Sequence, residues 1–165
     1  MPDNATPEGV ERQSSDLPPL QRWISTAVIS FDVADLHRLA KAGGFDLIVE
    51  ADELGLAVYD PQREPVLWVD VITPDGDTRE DFAEEMDEFR QRIEGRSPAL
   101  IARVLDRARC IVALSPFRRA APEAADALTA AVSAQVSRQG EAVLHVVGEG
   151  FKGVDGAVLL AESAD

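Results

Sequence analysis

Between residues 45 and 72 the apolar side chains come in three short runs, 45–50, 56–60 and 66–72, separated by the turn-like segments ADELG and PQREP. Runs rich in β-branched residues, broken by Pro, Gly and Asp, predict a three-stranded meander: such side chains suit a pleated surface and such breaks suit tight turns. A meander must bury one face, so the rest of the chain has to supply helices or further strands to cover it.

The flanking segments supply both. Residues 23–31 (WISTAVISF) are rich in β-branched and aromatic side chains and read as a strand. Asp32 is placed to cap a helix over 33–42, in which Val33, Leu36, Leu39 and Ala40 share a stripe and which Gly43-Gly44 ends. Thr78, with Asp81 three residues on, predicts a capped helix over 79–94 whose Phe82, Met86, Phe89 and Ile93 recur at spacings of 4, 3 and 4. Ser97 as N-cap and Pro98 at the first helical position predict a further helix through Leu100, Ile101, Val104 and Leu105, running into a buried strand over 110–114. Pro122 opens another helix, with Leu128, Val132 and Val136 on one side and Gly140 as its stop. Residues 142–147 read as a strand, and Asp155-Gly156 as the tight turn of a final hairpin ending in 157–161.

Strands in a run, followed by alternating helices and strands, predict an α+β (mixed α/β) domain: one mixed sheet that includes the meander, with about four helices packed against it. Residues 1–20 are rich in Pro, Ser, Asp and Glu and nearly devoid of apolar side chains, so a disordered arm is expected ahead of a single domain over 21–165.

Charge narrows the function. Thirty acidic residues against sixteen basic ones give a net charge of −14, which argues against a nucleic-acid partner, because phosphate binding needs a basic face. The single cysteine, Cys110, cannot form an internal disulfide. No run approaches the length of a membrane span, and the first twenty residues lack the apolar core of a secretory signal, so a cytoplasmic protein without a membrane partner is expected.

Residue patterns that carry chemistry are sparse. Gly148-Glu149-Gly150-Phe151-Lys152-Gly153 spells G-x-G-x-x-G after a strand. A dinucleotide loop needs a helix opening at the third glycine, whereas here Gly156 and the strand-like AVLLA follow, so the glycines read as turn residues. His37, Cys110 and His145 are too widely spaced for a metal motif, and Asp75-Gly76-Asp77 lacks the ligand spacing of a calcium loop, so neither metal nor cofactor is implied. Cys110 heads an apolar strand and reads as a small buried hydrophobe; His37 falls on a polar helix side; His145, within VLHVV, is the better of the two histidines for a general-base role. No G-x-S-x-G elbow, P-loop or distinctive carboxylate pair points to catalysis.

The acidity is local. Residues 1–97 carry a net −13 and residues 98–165 a net −1, and the segment 70–94 alone holds ten acidic residues against Arg79, Arg90 and Arg92. Glu88 with Arg92 is a favourable helical pair, whereas Glu84 with Glu88 is a repulsive one. A repulsive acidic face is explained by a cationic partner, by solubility, or by a high-salt habitat; the net +4 of residues 98–121 weakens the last. Asp75, Asp77, Glu84, Glu85, Asp87 and Glu88 are the candidate partner-binding residues.

From Val146 to Leu160 the run VVGEGFKGVDGAVLL resembles the C-terminal hairpin of small bacterial immunity-type proteins that neutralise toxins, through Gly148, Glu149, Gly150, Phe151, Asp155 and Gly156. Lys152 and Gly153 depart from the aromatic and acidic residues usual in that turn. The resemblance implies a related fold and, with the acidic segment, a non-enzymatic, immunity-like antitoxin that occludes a basic protein partner such as a toxin. The alternative is a small enzyme or metabolite-binding domain with a pocket near Cys110 and His145, flanked by Arg118 or Arg119; a homo-oligomer is a third possibility.

Overall fold

The computed structural model describes residues 20–51, 55–96 and 98–162. Residues 1–19 of the expected arm over 1–20, and Ser97 as a cap, lie outside the described residues. Among the described residues there are eight strands and four α-helices in the order β1 (Gln21–Ser25), α1 (Val33–Ala42), β2 (Ile48–Ala51), β3 (Gly55–Tyr59), β4 (Pro65–Ile72), α2 (Arg79–Arg92), α3 (Ala99–Asp106), β5 (Cys110–Pro116), α4 (Pro122–Gln139), β6 (Ala142–Val146), β7 (Gly150–Lys152) and β8 (Val158–Ala161). The domain is α+β, and the meander is β2–β3–β4.

All eight strands join one sheet in the order β2-β3-β4-β5-β1-β6-β7-β8. Every pairing is antiparallel, where the sequence reading expected a mixed sheet. The reason is the place of β1. Strands β5 and β6 run the same way and are joined by α4, the arrangement that makes a parallel pair when the strands are adjacent. Here β1 lies between them and pairs antiparallel with both. A second helical excursion, α2 and α3 between β4 and β5, uses two helices and so returns the chain to the end of the sheet it left.

Local chemistry explains where elements start and stop. Asp32 and Asp35 form a reciprocal capping box at the head of α1. Strand β1 ends at Ser25 and does not run on to Phe31, because the Ser25 hydroxyl takes up the Ala27 N–H and turns the chain. Ile29 is nonetheless buried, folded back over Cys110, whose thiol donates to its carbonyl. Thr78 does not cap α2 as its spacing predicts; its hydroxyl donates to the Thr73 carbonyl and accepts from the Thr73 N–H, closing the loop that precedes the helix. Pro98 stands at the N-cap of α3, one position before the site expected for it.

Helices cover the two sheet faces unequally. On one face, α1 and α4 bury Leu36, Ala40, Leu128, Val132 and Val136 against Leu56, Val58, Val69, Val112 and Trp23. On the other, α2 and α3 bury Phe82, Met86, Phe89, Ile101 and Val104 against Ile24, Ile111, Val143 and Phe151. Among the described residues none of β2 or β3 joins this second cluster, so no described helix covers that end of the sheet on the α2 side. No helix among the described residues is long and apolar enough to cross a membrane.

Candidate functional site

The acidic helix α2 lies on the sheet over Arg22. Alternation along β1 puts Arg22 on the same face as Ile24, opposite Ala113 of β5 and His145 of β6. Its residue is only 5% exposed, and α2 supplies its counter-charges. Glu85 accepts from its Nη1 at 2.9 Å, Glu88 lies 3.4 to 3.5 Å from both terminal nitrogens, and the Phe89 ring packs over the guanidinium at 4.5 Å. Residues 85, 88 and 92 follow one another at helical spacing beside the apolar stripe of Phe82, Met86, Phe89 and Ile93, which is why one face of α2 carries both the packing and the charge.

The network continues through His145, whose ring is fully enclosed. Arg22 Nη2 stands 3.1 Å from Nδ1 and Glu162 Oε2 stands 2.8 Å from Nε2. Arginine only donates and carboxylate only accepts, so a neutral ring with its proton on Nε2 satisfies both contacts. Burial, reinforced by the Arg22 charge, pushes His145 below the usual imidazole value against the opposing pull of Glu162. Glu162 is held in turn by Arg92 and by the Gly148 N–H, the latter at 2.8 Å, and Arg92 also binds Glu88 at 2.7 Å. Although desolvation acts upward, these hydrogen bonds and nearby cations hold both Glu88 and Glu162 below the usual carboxylate range. The chain from Glu85 to Glu162 therefore ties α2 to the centre of the sheet and to the residue that follows β8.

This arrangement sorts the sequence-derived candidates into two groups. Glu85 and Glu88 are half-buried and paired with Arg22, with Arg92 as a second partner for Glu88. Asp75, Asp77, Glu84 and Asp87 are exposed. The expected Glu88–Arg92 pair is present, and the repulsion between Glu84 and Glu88 is relieved because Glu88 turns toward cations. Cys110 and His145 do not meet. Cys110 belongs to the cluster under α1 and α4, whereas His145 packs against Phe89 and Phe151 on the opposite face. Burial raises the Cys110 thiol, which disfavours the reactive thiolate. His37 is exposed, and Arg118 is engaged by Asp126 at 3.0 Å. The glycines of the 148–153 run serve turns: Gly148 and Gly150 hold positive φ values of 86° and 112°, and at Gly153, where a dinucleotide fold would begin a helix, β7 has ended and a turn closed by the Gly156 N–H on the Gly153 carbonyl begins.

Arg22 and Glu162 escape sequence reasoning. For Arg22 a signal exists, since it keeps the two-residue period of Ile24 and adjoins Trp23 in the strand. Glu162 carries none, because its role depends on the hairpin bringing it beside β6.

Two cavities bear on binding. A crevice of about 190 Å³ between β4 and α2 is lined by Asp70, Ile72, Thr78, Asp81, Glu84 and Glu85. A larger recess of about 570 Å³ on the α1 side is lined by apolar side chains such as Phe31, Val33, Leu56 and Val69. Among the described residues no group of three or more His, Cys, Asp or Glu side chains is arranged to hold a metal ion. A general base must reach its substrate, and the enclosed His145 ring offers no such approach. No family model, curated protein or solved structure matches the chain.

Proposed function

We propose that the protein is a non-enzymatic binding domain that presents an acidic surface to a basic protein partner, and that it acts as an immunity-like antitoxin by occluding that partner's cationic cleft. The observation that carries the reading is the outer surface of α2 and its lead-in. Between Asp75 and Glu94, seven carboxylates (Asp75, Asp77, Glu80, Asp81, Glu84, Asp87 and Glu94) are exposed, against the exposed arginines Arg79 and Arg90. That side chains of one sign crowd the solvent side, while Glu85 and Glu88 are neutralised inside, supports a surface kept acidic for an external cation. Such a surface raises the association rate with a basic protein, and apolar contacts at its centre slow release. The turn built by Gly148 and Gly150 supports the antitoxin reading only through the fold resemblance and does not locate the contact.

The test is capture from native lysate with the tagged full chain at low and high salt. A basic protein should be retained at low salt and released at high salt, where the Debye length falls from about 10 Å to about 3 Å. Replacing Asp75, Asp77, Glu84 and Asp87 by Lys should abolish retention, while replacing the exposed Asp106 and Glu123, which lie elsewhere, should not. Glu85 and Glu88 are left in place because reversing them would strand Arg22. Retention that survives the fourfold reversal refutes the acidic-face reading. A captured protein whose own activity is unaffected by stoichiometric addition of the chain refutes the antitoxin reading.

A further inference from the structure

On the α2 side, the end of the sheet that no described helix covers carries an aromatic side chain, one strand period from the acidic wall of α2. Alternation places Glu50 of β2, Ala57 and Tyr59 of β3, Trp68 of β4 and Ser115 of β5 on this face, and the cross-strand partners agree: Glu50 is opposite Ala57, Ala57 opposite Trp68, and Trp68 opposite Ser115. Trp68 is 44% exposed, and Phe117 packs edge-on against it at 4.8 Å. Trp68, Asp70 and Ile72 share one face of β4. The indole therefore stands about 7 Å along the strand from the crevice between β4 and α2, whose α2 wall is Asp81, Glu84 and Glu85.

We infer that this face of β3 and β4, which no described helix covers, is the docking surface for an arginine-bearing segment of a basic protein, with one arginine seated between the Trp68 ring and the Asp81 and Glu84 carboxylates. The inference rests on the acidic-partner reading and specifies where on the chain that partner sits. Charge complementarity selects the occupant: an aromatic platform flanked by carboxylates offers a planar guanidinium a stacking surface and hydrogen-bond acceptors together, whereas a lysine uses only the charge. The chain seats two of its own arginines in this manner. Arg63 lies 5.0 Å from the centre of the Tyr59 ring on the same sheet face while bound to Glu50 at 3.0 Å. Arg22 stacks on Phe89 while bound to Glu85. Among the described residues no cation lies over Trp68. A second copy of the chain is the poorer occupant, because it carries the same net charge of −14 and the same acidic helix, so two copies repel one another.

The experiment titrates the full chain with a short peptide of alternating Arg and Gly, and with its Lys-for-Arg twin of equal charge, at low salt. The chain has two tryptophans, and Trp23 is buried, so a change in the exposed-type emission reports Trp68. The expected result is a shifted Trp68 emission and about fivefold tighter binding of the Arg peptide than of the Lys twin. Trp68→Ala should weaken the Arg peptide about tenfold and erase the preference, and Glu84→Gln should weaken both peptides. Circular dichroism confirms that each variant is folded, as expected for exposed positions. Equal binding of the two peptides, an unmoved Trp68 emission, or full affinity in Trp68→Ala overturns the inference. If the lysate partner is still lost on acidic reversal yet kept by Trp68→Ala, the acidic-face reading stands and the arginine seat falls. If the chain dimerises in a concentration-dependent manner that Trp68→Ala abolishes, the occupant is a second copy and the inference is again overturned.

Discussion

Replacing Arg22 by Met tests whether the buried ion network holds α2 on the sheet or merely sits beneath it. Methionine keeps an unbranched apolar stem against Phe89, so packing loss is small and the change isolates the charge. The two carboxylates it abandons are not stranded, since the side chains of Glu85 and Glu88 are 26% and 41% exposed and can rehydrate. His145 is different: its ring is fully enclosed and Nδ1 loses its only donor among the described residues. An unsatisfied buried acceptor costs about 1–3 kcal/mol, and removal of the buried guanidinium's desolvation penalty offsets part of the lost attraction. The expected loss for Arg22→Met is therefore about 1–3 kcal/mol, a fall in Tm of roughly 2–4 °C per kcal/mol for a domain of this size. His145→Leu added to Arg22→Met removes the orphaned acceptor along with its donor, so the double variant should recover to within about 1 kcal/mol of the parent. Urea unfolding of the parent, both single variants and the double, compared at a common m value, measures this. Two results would refute the reasoning: Arg22→Met as stable as the parent, or a double variant whose loss equals the sum of the singles.

Stability should also depend on pH in a direction set by the same groups. The folded-state value of His145 lies below its ordinary 6.5, so the unfolded chain takes up a proton first; its contribution is complete above about pH 6.5 and is lost as pH falls from there through the folded value. Glu88 and Glu162 lie below their ordinary 4.5, so their contribution is present above that value and lost on further acidification through their folded values. Urea midpoints across acid pH should show both phases, and His145→Leu should remove the upper one; an upper phase that persists in that variant would assign it to another group. Gly150→Ala should cost about 2 kcal/mol or more, because φ is +112° and a Cβ there would lie 2.2 Å from the Leu160 carbonyl oxygen and 2.7 Å from the Glu162 nitrogen. Thermal unfolding within about 0.5 kcal/mol of the parent would contradict the β7–β8 geometry.

Features with a purely local cause were legible before folding was considered. The Asp32 helix cap, the apolar stripe of α2 and the break at Gly140 each depend on residues a turn apart, and each is present. Expectations failed where a side chain had two local partners to choose from. Thr78 was within reach of its own helix and of Thr73, and the loop took it; Ser25 was within an apolar run, and its hydroxyl ended the strand.

The site divides in the same way. That residues 70–94 are strongly acidic and helical follows from composition and spacing alone. Which carboxylates face solvent and which are consumed inside does not, because Glu85 and Glu88 differ from Glu84 and Asp87 only in having Arg22, sixty-three and sixty-six residues away, beneath them. The aromatic floor beside the acidic wall is equally a product of topology, since Trp68 and Phe117 meet only when β4 pairs with β5. By itself the sequence determined most of the elements, the Asp32 cap and the sign of the surface, because periodicity and charge act over one helical turn or one strand period. The sheet order, the insertion of β1 between β5 and β6, and the split of the acidic helix into a pinned inner face and an open outer one were decided only in the tertiary structure, where burial of distant residues against one another sets which contacts can form.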